Sequence, residues 1–98
     1  MQNNKKEYKI RVFSEEESVR AQKAFFKLGY SWMLPRGHKY PDEPRSTSEQ
    51  FLYGTKTGRI FYGTDEENFN TGIGVRLSLG ELEELAGIDN TPGIFQII

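Results

Sequence analysis

Between Ser14 and Leu28 the chain carries a pattern that a helix satisfies and a strand does not. Ala21, Ala24, Phe25 and Leu28 recur at three- and four-residue spacing, with Val19 and Phe26 beside them. The polar Arg20, Gln22, Lys23 and Lys27 are assigned to the rest of the helical surface. Ser14 stands three residues before Glu17, the spacing of a capping box, and acids fill the first turn, where the helix dipole favours them. Gly29 follows the last apolar position and can take the left-handed conformation that ends a helix. One apolar stripe on one capped helix requires one layer to cover it.

The flanking segments supply that layer. Tyr8, Ile10 and Val12 alternate with Lys9, Arg11 and Phe13, the period of a strand with one face buried. Tyr30 and Trp32 begin a short second strand. Phe51 to Thr55 and Arg59 to Thr64 flank Lys56, Thr57 and Gly58, a connection whose glycine provides the positive φ of a tight hairpin. Gly54 and Gly63 interrupt these aromatic strands, marking bulges or the close approach of a facing ring or ligand. Asp65 to Thr71 reads as a polar loop around Phe69. Ile73, Val75, Leu77 and Leu79 form a last core strand with Arg76 on its outward face. Ser78 and Glu81 repeat the capping-box spacing before Leu82, Leu85 and Ala86, so a short helix ending at Gly87 is expected. The fold class is therefore α+β: one main helix packed on a small antiparallel sheet in β-α-β-β-β-α order, with a short C-terminal helix and an apolar tail.

Length and composition restrict function. A chain of 98 residues is expected to be a single domain, residues 1–98. Thirteen Lys and Arg oppose fourteen Asp and Glu, so no global positive field draws the chain to duplex nucleic acid or an anionic membrane. The absence of cysteine removes disulfides, thiolate zinc sites and thiol catalysis, and fits a reducing cytoplasm. The polar start at Met1 to Glu7 lacks the apolar region of a signal peptide.

Residues 33–50 hold Pro35, Gly37, Pro41, Pro44 and the run Ser46, Thr47, Ser48, which predicts a long loop. Loops of this length in a small domain concentrate function, and this one carries Arg36, His38, Lys39, Tyr40 and Arg45. The tail after Pro92 and Gly93 is apolar at Ile94, Phe95, Ile97 and Ile98, and needs cover from the domain or from a second copy.

No catalytic constellation is legible. His38 has no nearby serine, cysteine or second histidine, so neither a triad nor a histidine metal site is supported. Asp65, Glu66 and Glu67 lack calcium-loop spacing, and Glu81, Glu83 and Glu84 follow a helix start; both groups read as solvated surface. No catalytic residue, metal or cofactor is assigned. What remains is a set of rings interleaved with cations: Trp32, Tyr40, Tyr53 and Tyr62 with Arg36, His38, Lys39, Arg45, Arg59 and Arg76. Rings stack on bases and arginine forks grip phosphates, which makes this set the candidate ligand site.

The segment Ile10 to Trp32, IRVFSEEESVRAQKAFFKLGYSW, together with the hairpin and the closing LSLGELEEL, resembles small early proteins of T-even-like tailed bacteriophages. The shared pattern is a strand, a capped helix ending in Leu-Gly-Tyr-x-Trp, and a final strand running into an acidic short helix. The loop from Pro35 to Ser48 has no counterpart in that pattern, and no binding residue is carried over from it. The resemblance implies a host-takeover or anti-defence protein acting in the host cytoplasm. At least one such protein is similar to those that sequester cyclic dinucleotides and silence antiphage signalling. The expected function is a non-enzymatic sponge for a cyclic di- or oligonucleotide, acting as a homodimer or higher homo-oligomer. The alternative is a protein-protein inhibitor of a host defence or transcription protein.

Overall fold

Alternation at the start of the chain becomes β1 (Tyr8–Arg11), and the capped stripe becomes α1 (Glu15–Lys27). There follow β2 (Ser31–Trp32), β3 (Phe51–Gly54), β4 (Arg59–Gly63), α2 (Glu66–Thr71), β5 (Val75–Leu77) and α3 (Leu79–Leu85). This is a computed structural model, and it describes residues 5–32, 43–45 and 50–88. Most of the 33–50 loop, with Arg36, His38, Lys39 and Tyr40, and the tail from Asn90 to Ile98 lie outside the described residues.

The α+β class holds. The five strands form one sheet in the order β2-β4-β3-β1-β5. Its central pairs, β1 with β3 and β3 with β4, are antiparallel, with Ile10 opposite Leu52 and Leu52 opposite Tyr62. The sheet is nonetheless mixed, because β2 joins β4 and β5 joins β1 in parallel. The hairpin turns through Lys56, Thr57 and Gly58, where Gly58 has φ +84° and its amide donates to the Thr55 carbonyl.

Both faces of the sheet are covered. On one, α1 and α3 bury Ile10, Val12, Leu52, Ile60 and Trp32 against Ala21, Ala24, Phe25 and Leu82. On the other, Phe69 of α2 stacks on Phe51 with ring centroids 4.5 Å apart and meets Tyr53 edge-on at 6.1 Å. Five further features depart from the sequence reading, most of them because an element covers what the pattern left to water. The Asp65 to Thr71 segment is a helix, not a loop, with Asp65 as its N-cap and Phe69 fully buried. Lys9, on the polar side of β1, is buried beneath α2, where its amine donates to the Phe69 carbonyl and, at 2.8 Å, to that of Gly72. Gln22 is buried in the α1 stripe. Glu83 is buried rather than solvated and takes a bidentate bond from Arg20 at 2.6 and 3.0 Å, whereas Leu85 is about half exposed. Nearby Glu83 raises the Arg20 pKa. Finally, the last strand is only three residues long and is not a core strand: Leu79 belongs to α3, Ile73 is exposed and Val75 is about half exposed.

The two serine caps differ. Ser78 and Glu81 close a full capping box. Ser14 accepts from the Glu17 amide, but the Glu17 carboxylate accepts from the amide of Phe13 rather than that of Ser14.

Gly54 exists for a ring pair. Phe25 and Tyr30 meet edge to face at 5.2 Å, and a Cβ on Gly54 would lie 2.6 Å from Phe25 and 2.9 Å from Tyr30. Both rings are anchored in the core, so Gly54→Ala is expected to cost about 1–3 kcal/mol of stability, read as a lower urea midpoint.

Tyr30 donates its hydroxyl to the Lys6 carbonyl. Burial, with smaller contributions from Tyr8 and Glu7, pushes its pKa from 10.0 up to about 12. The fold thus holds the phenol proton more tightly than the unfolded chain does. Stability from this group is complete below pH 10 and is lost as the pH rises towards 12. Tyr53 is shifted in the same direction, chiefly by burial. Urea midpoints measured from pH 9 to 12 should fall for the parent chain, and Tyr30→Phe should flatten most of that fall.

Candidate ligand cleft

The centre of the candidate site is a side-chain amide. Gln22 sits in the buried face of α1, four residues after Ser18 and three before Phe25, and its amide makes four hydrogen bonds. Its oxygen accepts from the Trp32 indole N–H at 3.1 Å and from the Arg45 backbone N–H at 2.6 Å. Its nitrogen donates to the Arg45 carbonyl at 2.8 Å and to the Ser18 hydroxyl at 3.1 Å. A buried amide is stable only with its donors and acceptors paired. Here the pairing fixes the backbone N–H and C=O of one residue, Arg45, beside the single tryptophan.

That bracket places the Arg45 guanidinium over the Trp32 ring, 4.6 Å from its centroid. Tyr62, one register step beyond Ile60 on β4 and on the same face, meets Trp32 edge to face at 5.5 Å and is 48% exposed. Trp32, Arg45, Ile60, Phe61 and Tyr62 line a cleft of about 250 Å³. Among the described residues Arg45 has no ion-pair partner. The cleft therefore offers an apolar wall, an exposed phenol ring and one arginine held in place by its own backbone.

Three of the ten sequence candidates, Trp32, Arg45 and Tyr62, come together here. Tyr53, Arg59 and Arg76 do not join them. Strand alternation puts all three on the opposite face, where Arg76 lies 5.0 Å over Phe69 and half-buried Tyr53 packs beside α2. Arg36, His38, Lys39 and Tyr40 lie outside the described residues. The residue that sequence reasoning missed is Gln22, which polarity assigned to the outer surface although its spacing from Ser18 and Phe25 put it within the stripe.

Two other grooves are present. One, of about 540 Å³, runs past Arg11, Phe13, Arg76 and the starts of α1 and α3, and its acids Glu17 and Glu81 accept from backbone amides at the helix starts. A second, of about 270 Å³, lies between Tyr53, Phe61 and Asn68. Among the described residues no three His, Asp or Glu side chains gather to hold a metal ion, and no helix is long and apolar enough to cross a membrane. The chain matches no known family model, no curated protein and no solved structure.

Proposed function

We propose that this chain is a non-enzymatic bacteriophage anti-defence protein that binds and sequesters a cyclic nucleotide second messenger at the Trp32–Arg45–Tyr62 cleft. The observation that carries the proposal is an arginine without an ion-pair partner among the described residues, fixed over one ring and beside a second, exposed ring. Nucleotides present both partners such a site recognises, a flat π-face and strong acceptors. The cleft volume, about 250 Å³, falls below the range for drug-sized ligands and suits one base rather than a whole dinucleotide. A twofold ligand would then engage two copies of the chain, which is the reason to expect a homodimer.

Titration calorimetry against cyclic di- and trinucleotides should give saturable heat at micromolar protein, and Arg45→Ala should weaken binding by about 1.5–3 kcal/mol, the contribution of a charged hydrogen bond. Absence of heat across the panel would exclude a sponge.

A second reading, an inhibitor of a host defence or transcription protein, is favoured by a different observation. Beside the three-residue edge strand β5, Ile73 is 83% exposed and Phe13 76% exposed. An edge strand with exposed apolar neighbours is a surface that a partner strand or groove can cover. Affinity purification from infected cells would then retain one host protein stoichiometrically, whereas a sponge would release a small molecule on denaturation.

A further inference from the structure

Resting on the nucleotide-binding role proposed above, we infer that the cleft selects guanine and reads it by its major-groove edge through Arg45. Several polar groups of the cleft are already used. The Trp32 indole N–H is bonded to Gln22, and so are both the N–H and the C=O of Arg45. The face of Trp32 beneath Arg45 is covered by the guanidinium at 4.6 Å, so a ligand ring cannot stack there. Among the described residues two recognition elements remain: the guanidinium N–H groups of Arg45 and the half-exposed ring of Tyr62.

An arginine fork with no ion-pair partner among the described residues seeks two acceptors side by side. Guanine supplies them in O6 and N7, whereas adenine presents N7 beside an N6 donor, which faces the arginine donors unfavourably. Phosphate also offers paired acceptors, but the rest of the lining argues for the base. Among the described residues, the rest of the lining, Trp32, Ile60, Phe61 and Tyr62, brings no second cation into the cleft. A neutral planar ring loses little on entering such a wall, whereas a phosphate would be desolvated against it with only Arg45, among the described residues, to compensate. The base thus stacks on Tyr62, its O6 and N7 edge faces Arg45, and its sugar-phosphate stays at the mouth, in water.

The test uses two probes with the same phosphates and different bases, cyclic di-GMP and cyclic di-AMP, titrated by calorimetry into the full chain and into Arg45→Gln. The parent should bind the guanine probe at least about tenfold more tightly, the discrimination of one bidentate pair. Glutamine pairs with the N6 and N7 of adenine, so Arg45→Gln should lose the guanine preference or reverse it. Because the bracket from Gln22 engages only the backbone of residue 45, this variant retains the fold, which its far-ultraviolet circular dichroism should show. Equal binding of both probes to the parent overturns guanine selection and leaves nucleotide binding intact. Binding of neither overturns both. A guanine preference that survives unchanged in Arg45→Gln overturns the assignment to Arg45.

Discussion

Phe69→Ala is expected to destabilise the chain by about 3–5 kcal/mol, the range for removing a fully buried phenylalanine. The effect falls at the top of that range because the ring holds a whole element. A six-residue helix does not persist alone in water, and α2 is docked mainly through Phe69 on Phe51 and through the Lys9 amine at its C-terminal carbonyls. Once the ring is gone α2 lifts, and Lys9, 5% exposed in the native fold, loses its two acceptors. Urea unfolding should show the lower midpoint, and amide exchange should accelerate first at residues 66–71. Under conditions where the variant is still folded the ligand cleft should bind as before, because it lies on the other face of the sheet.

Gln22→Leu should produce a different combination, with a loss of at least about 4 kcal/mol in stability together with loss of ligand binding in the protein that is still folded. The substitution fills the space but removes four hydrogen bonds at once. Buried donors and acceptors left without partners cost about 1–3 kcal/mol each. The Trp32 indole N–H and the backbone N–H and C=O of Arg45 are among those stranded. With the bracket gone, nothing among the described residues holds the Arg45 backbone beside Trp32, so the fork and the ring no longer present one surface. Thermal unfolding and ligand titration of the same preparation separate the two losses.

Much of the scaffold was legible because it rests on local rules. Alternation marked β1, a serine cap and a terminal glycine delimited α1, and Gly58 marked the hairpin turn. Three of the departures share one cause: polarity alone points a residue to water wherever no partner is visible in sequence. Lys9, Gln22 and Glu83 are all buried, each with a partner distant in the chain or supplied by an element not foreseen. Spacing held a clue in two cases, since Gln22 lies between Ser18 and Phe25 and Glu83 between Leu79 and Ala86 at helical intervals. The α2 helix was hidden because Phe69 is its only buried apolar residue, too few to reveal a period. In the candidate set the residue types that chemistry would choose were recognised, but a list of rings and cations has no faces. Only the sheet register divides Trp32 and Tyr62 from Tyr53, Arg59 and Arg76.

The cleft carries its own reporter. Trp32 is the only tryptophan in the chain, and Arg45 and Tyr62 both touch its ring. Its fluorescence, followed while cyclic di-GMP is added to the full chain, tests the central claim most directly. A saturable change in Trp32 emission at micromolar ligand, absent in Arg45→Ala, is the predicted result. Emission that stays constant through millimolar ligand, or that changes equally in Arg45→Ala, would contradict a nucleotide site at Trp32, Arg45 and Tyr62.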